Sequence, residues 1–135
     1  MEAVLFNAHL PEHRGYYNIA KEWWENRDWP IPMTENLSST GMMVYQDNRP
    51  ICAAWLYQTD SLMAVIGFLI ADIKIKGRVK KRAIKFLLEE LEEKARKMGF
   101  NIIFMPMESN SVARLAKNEM NYIGNSSNEL VKSII

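Results

Sequence analysis

Cysteine occurs once in this chain, at Cys52, and histidine only twice, at His9 and His13. A single cysteine excludes an internal disulfide and fits a reducing compartment. Two imidazoles and one thiol leave no spacing that reads as a metal site or a Cys–His couple, so no metal is expected. Cys52, inside a strand-like run, reads as a small buried hydrophobe. Net charge is also nearly absent: 17 Lys and Arg stand against 16 Asp and Glu, a formal balance of +1. That excludes binding to a polyanion by bulk charge. Long apolar runs are missing too. The longest, "LMAVIGFLIA" over 62–71, has about half the length a membrane span needs. The first residues, "MEAVLFNAHLPEH", lack a basic start and a long apolar stretch, so no signal peptide is expected. These absences predict a cytoplasmic protein without membrane contact.

What remains is an ordinary globular composition, 48% hydrophobic and 24% charged. At 135 residues it predicts one domain over 1–135. "EAVLFNA" before Pro11 reads as a strand. Between Glu12 and Arg27, the spacing of Tyr16, Ile19, Ala20 and Trp23 predicts a helix with one face packed. Residues 28–40, with two prolines, predict a loop or broken short helix. "GMMVYQ", "ICAAWLYQ" and "LMAVIGFLIA" predict a three-strand meander turning at "DNRP" and "TDS". Gly67, in the middle of the third strand, predicts a bulge or close backbone approach. Ile84, Leu87, Leu88, Leu91, Ala95 and Met98 mark the buried face of a long helix that Gly99 ends. The pairs Glu90–Lys94, Glu92–Arg96 and Glu93–Lys97 are placed on its outer face. A strand "NIIFMPM", a short helix "SNSVARLAKNEM" and two closing strands complete the chain. The expected fold class is α/β, a mixed sheet flanked by helices in the order β-α-β-β-β-α-β-α-β-β.

One segment goes against helix electrostatics. "KIKGRVKKRAIK", residues 74–85, holds seven Lys or Arg in twelve positions and runs into the long helix. The dipole favours acids at a helix start, by about 0.3–1 kcal/mol each, yet the acids wait until Glu89, Glu90, Glu92 and Glu93. An anion bound by the free N–H groups would explain this arrangement. A solvated basic face, or a contact with an acidic partner or nucleic acid, would also do so.

The stretch from Ala83 to Tyr122 resembles the GNAT superfamily of acyl-CoA-dependent N-acetyltransferases. The residues that carry the resemblance are Leu87-Leu88-Glu89-Glu90-Leu91, Met98-Gly99-Phe100, the strand Ile102–Met105 and Asn110-x-x-Ala113. The meander from Gly41 to Ala71 fits the family's second to fourth strands. "WWENRDWPIPMTENLSSTGMMV" is similar to small GNAT-like proteins encoded by bacteriophages. The resemblance implies acetyl-CoA as co-substrate, direct acyl transfer to a small-molecule or protein amine, and no metal. It also implies a gap between the fourth and fifth strands where pantetheine inserts.

The family's phosphate loop, Gln/Arg-x-x-Gly-x-Gly/Ala, is matched here to Arg78-Val79-Lys80-Lys81-Arg82-Ala83, with Lys81 in place of the central glycine. Lys117 stands at the family's tyrosine, and Asn121-Tyr122 at its Gly-Phe pair. The resemblance therefore implies a coenzyme site of Leu69, Ile70, Ala71, Ile73, Gly77, Arg78, Val79, Lys80, Lys81, Arg82, Ala83 and Asn110. A backbone N–H near Leu69–Ala71 would polarise the thioester. Candidate catalytic residues are Asp72 as base, Lys117 as proton donor and Tyr122 as hydroxyl. Each also has a plain reading: turn residue, exposed lysine and core aromatic. Asn110 could cap the short helix or bond pantetheine. Trp24 and Trp29 could line the acceptor pocket or cover the sheet. A non-catalytic module binding a protein, nucleic acid or other anion through 74–85 is the competing expectation, and a homodimer through "ELVKSII" is compatible with either.

Overall fold

The computed structural model describes residues 1–135. Strand β1 (Glu2–Phe6) is followed by a 3-10 turn at Pro11–His13 and helix α1 (Arg14–Asn26). The meander is β2 (Gly41–Gln46), β3 (Arg49–Tyr57) and β4 (Met63–Ala71). Then come α2 (Gly77–Lys97), β5 (Ile102–Pro106), α3 (Asn110–Glu119), β6 (Ile123–Gly124) and β7 (Glu129–Ser133). The seven strands form one sheet in the order β1-β2-β3-β4-β5-β7-β6. Every pair is antiparallel except β4–β5, which α2 joins as a crossover. The expected α/β architecture and element order are those observed.

Local chemistry explains most boundaries. The β2–β3 turn is only Asp47-Asn48, both at positive φ (51° and 63°), the geometry that suits a two-residue hairpin; Arg49 and Pro50 already belong to β3. At the end of α2, Gly99 sits at φ 94°. The Gly99 N–H donates to Arg96 and the Phe100 N–H to Ala95, each at 3.0 Å, so two orphan carbonyls are satisfied.

The sheet has a core on each face. Alternation along β3 sends Cys52, Ala54 and Leu56 toward α2 and α3, and Ala53 and Trp55 toward α1. On the first side Ile84, Leu87, Leu88 and Leu91 of α2 are fully buried, each contributing about 1.5–3 kcal/mol. On the other, Trp24 stacks on Trp55 with centroids 5.6 Å apart, and Phe6 meets Trp55 edge-on. The inward face of α1 is Tyr17, Ala20, Trp23 and Trp24, one step round from the predicted Tyr16 and Ile19, which are half-buried.

One irregularity shapes everything after it. Between Ala53–Ile70 and Trp55–Gly67 the register of β3 and β4 slips by one residue. Phe68, next to the glycine that suggested a bulge, takes φ 56°. The extra residue reverses the alternation of β4: Ile66 faces α2, but Ile70 faces α1.

Candidate functional site

Strand β4 pairs with β5 only through Met63, Ala64 and Val65. The parallel ladder ends at Val65, just before the bulge, so the C-terminal half of β4 has no strand partner on that side. The orientation of its polar groups follows from one bond. The Asp72 N–H donates to the Ile51 carbonyl on β3 at 2.9 Å. By strand alternation the N–H and C=O of Ala71 then point away from β3, into the gap. The β4–β5 ladder therefore ends where the gap was anticipated, and leaves the Ala71 main-chain groups unpaired by β5.

The gap leads to the start of α2. That helix begins at Gly77, so Arg78 to Ala83 are its first turns and not a loop. The expected phosphate loop Arg78–Ala83 therefore lies inside the helix, after the loop-to-helix junction. The junction itself is Lys74-Ile75-Lys76-Gly77-Arg78-Val79, with its glycine at the first helical residue. Gly77 has φ 68°, a left-handed backbone suited to glycine. No side chain caps this terminus, and its first turn holds no acid. Its leading N–H groups are open for an anion.

The cations divide by partner. Lys81 pairs with Glu119 of α3, and Lys85 reaches the same carboxylate at 3.8 Å. The hydrogen bond from Lys81 holds the Glu119 carboxyl below the usual range. Lys80 is half-buried and pairs with no carboxylate. Burial, and then the charge of Arg27, lower its pKa. A cleft of about 400 Å³ opens between α2 and α3, lined among others by Gly77, Lys80, Lys81, Ser111, Arg114 and Asn118. Lys74, Lys76, Arg78, Val79 and Arg82 are exposed, Ile73 is 41% exposed, and Ala83 is buried beneath the helix.

Arg27 was missed from sequence. From the C-terminus of α1 its Nε and Nη2 donate to the Ala71 carbonyl at 3.3 and 3.1 Å. Its guanidinium lies 5.3 Å from the ring centre of Trp29, which is 40% exposed. Nothing local distinguishes this arginine, because its partner is 44 residues away.

The three nominated catalytic side chains share no hydrogen bond or ion pair. Asp72 Oδ1 accepts the Lys74 N–H at 3.0 Å, and Oδ2 lies 3.5 Å from Arg49, which is the turn role. Lys117 is exposed on α3, its stem beside Gly124. Tyr122 is buried and donates to Glu92 Oε2 at 2.8 Å. Burial, followed by the Glu92 charge, raises its pKa. Glu92 is itself 3% exposed and accepts from Lys132 at 2.8 Å, so it is not on the outer face of α2 as its place among the glutamates suggested.

Asn110 accepts from Asn128 at 2.8 Å, while the cap of α3 is Ser109, which accepts the Val112 N–H. Leu69 lies in the bulge and Ile70 follows it, half-buried and buried respectively. Trp24 is 2% exposed and belongs to the aromatic core, which leaves Trp29 as the tryptophan at the surface beside the gap. The Cys52 thiol is pushed up by burial, away from nucleophilic use.

A thioester coenzyme with an extended amide arm and a diphosphate fits these features. The arm matches the open edge of β4, the diphosphate matches the uncapped start of α2, and the α2–α3 cleft leaves room beyond. No group of three or more His, Cys, Asp or Glu side chains is placed to hold a metal ion. No helix is long and apolar enough to cross a membrane.

No family model and no curated protein matches the sequence. Solved structures do match it in fold. An aminoglycoside 6′-acetyltransferase type Ii superposes with a TM-score of 0.72 at 12% identity, covering 100% of this chain and 98% of that one. An N-acetyltransferase from Staphylococcus aureus gives 0.69 at 8% identity, covering 100% of both chains. N-acetylglutamate synthase from Neisseria gonorrhoeae, complexed with coenzyme A and N-acetyl-glutamate, gives 0.62 at 16% identity over 100% of this chain and 36% of that one. The agreement extends from β1 to β7, and the fold of this chain is that of the GNAT acetyltransferases.

Proposed function

We propose that the protein transfers an acetyl or other short acyl group from acyl-CoA to an amine by direct attack, with no acyl-enzyme. The observation that carries this reading is the bulged β4 left unpaired by β5 beyond Val65 and followed in the chain, after residues 72–76, by the uncapped start of α2. The coenzyme supplies an acyl thioester. The N–H groups of Arg78, Val79 and Lys80, with the Lys80 ammonium, hold its phosphates. The gap-facing N–H of Ala71, or that of Leu69 in the bulge, donates to the thioester carbonyl as negative charge develops there. The amine enters from the α1 side, past Trp29. Asp72 and Tyr122 stay with their structural partners, and Lys117 is the remaining side-chain candidate for returning a proton to the departing thiolate.

The test is calorimetric titration with acetyl-CoA and dephospho-CoA, followed by thiol release with a panel of amines. Saturable micromolar binding and amine-dependent thiol release support the reading. Absence of binding at millimolar acetyl-CoA refutes it. The exposed Lys74, Lys76, Arg78 and Arg82 favour a second reading, a basic face for a nucleic acid or acidic protein. In that case binding would fall steeply with salt and be indifferent to acetyl-CoA.

A further inference from the structure

Arg27 occupies main-chain capacity that an extended ligand in the gap would need. The Ala71 carbonyl is on the open edge of β4, where a ligand amide would pair in the manner of an added strand. Two guanidinium N–H groups cover it, at 3.3 and 3.1 Å. The same guanidinium faces Trp29, and its charge is felt at Lys80 on the first turns of α2. Neither cation has a carboxylate within 4.0 Å. A guanidinium bound to a neutral carbonyl is underused. Its bonds to a charged oxygen are roughly twice as strong, and its fork matches phosphate geometry.

We propose that Arg27 is a coenzyme-binding residue with two positions. In the free protein it rests on the Ala71 carbonyl. In the complex it turns onto the diphosphate beside Lys80, which releases that carbonyl to the amide of the pantetheine arm. Phosphate capture and opening of the strand edge are then one event. This inference rests on the acyl-CoA reading.

The experiment compares wild type, Arg27→Ala and Arg27→Lys by calorimetry with CoA, pantetheine and inorganic pyrophosphate. Arg27→Ala should weaken CoA about tenfold, the worth of one charge-assisted bond. Pantetheine carries no phosphate and should bind Arg27→Ala more tightly than wild type, because the carbonyl is no longer covered. Unchanged CoA affinity in Arg27→Ala overturns the inference while leaving the proposed function intact. So does an equal loss of CoA and pantetheine, which would make Arg27 a brace for the gap. If wild type binds no CoA, the proposed function fails, and pyrophosphate decides the cation's role: binding that Arg27→Ala abolishes supports it, and no binding overturns it. Should Arg27→Ala not fold, Arg27→Lys carries the test. It keeps the charge but cannot fork onto the carbonyl, so pantetheine should tighten while CoA weakens only in part. Unchanged pantetheine affinity there overturns the resting position.

Discussion

Replacing Tyr122 by phenylalanine removes one oxygen and separates two roles for this residue. The hydroxyl donates to Glu92 Oε2 at 2.8 Å, and the carboxylate is 3% exposed, so water cannot easily replace the donor. The remaining partners of Glu92 are Lys132 at 2.8 Å and Arg96 at 4.0 Å, both on Oε1. The ring is retained, with the Lys132 ammonium 5.4 Å from its centre, so the aromatic packing and the cation–π contact persist. The loss is then one hydrogen bond to a charged acceptor, about 1.5–3 kcal/mol. It falls below the roughly 3–5 kcal/mol of breaking a buried ion pair outright, because Lys132 still neutralises Glu92. Equilibrium unfolding in urea should show a lower midpoint with an unchanged slope. CoA affinity and the acyl-transfer rate should stay at wild-type values. A variant as stable as wild type would refute the energetic argument. One that keeps its fold and CoA affinity but loses turnover would restore Tyr122 to the chemistry.

Three further outcomes follow from the same structure. Gly77→Ala should cost about 1–2 kcal/mol in unfolding experiments, because φ is 68° there while the added Cβ meets nothing within 4 Å; no destabilisation would mean that the turn relaxes freely. Lys80→Gln should weaken CoA about tenfold in calorimetry, and Lys81→Gln much less, since Glu119 already neutralises Lys81; the reverse order would take the phosphates from Lys80 and give them to Lys81. Burial raises the pKa of Tyr122 above its ordinary value near 10 and that of Cys52 above its ordinary value near 9. The folded state therefore holds these protons more tightly than the unfolded one, so the stability they confer is complete below about pH 9 and lost as pH rises beyond it, by up to about 1.4 kcal/mol per pH unit for each group; Tyr122→Phe should flatten the alkaline limb of a stability–pH curve, and an unaltered limb would contradict the assignment.

The element order was legible because it rests on periodicity: alternation in the meander, and a repeat of three and four in α2. The bulge was half legible, since Gly67 marked the neighbourhood but the strained residue is Phe68. The start of α2 was misread for a physical reason. Seven cations and no acid argue against a helix N-terminus, and yet the helix begins among them, at a glycine whose φ no pattern reveals. Glu92 carried a signal that went unused. It lies four residues after Leu88 and three before Ala95, on the buried stripe, while its neighbours Glu89 and Glu93 are exposed. Arg27 and Lys132 carried none, because each finds its partner only through the tertiary fold, 44 and 40 residues away.

Three local costs converge on one corner of the molecule. Phe68 holds a left-handed backbone at the mouth of the gap, a strain of about 1–3 kcal/mol for a residue with a side chain. The start of α2 has no capping side chain, although a serine or aspartate at position 76 would contribute about 1 kcal/mol. Arg27 and Lys80 each lack a carboxylate within 4.0 Å, and the charge of Arg27 acts on Lys80, whereas Lys81 and Lys85 share Glu119. A basic face that merely met solvent would require none of these together. The other end of α2 follows the ordinary rule, with Lys94, Arg96 and Lys97 where the dipole favours them and a fully bonded glycine stop. Local rules are kept where only the fold is at stake, and are broken together where a strand edge, a free helix terminus and two unneutralised cations meet. The proposed coenzyme would answer two of these departures, since its phosphates would bond the open N–H groups and neutralise the cations. The third, the bulge, turns the strand edge toward the arm of that ligand.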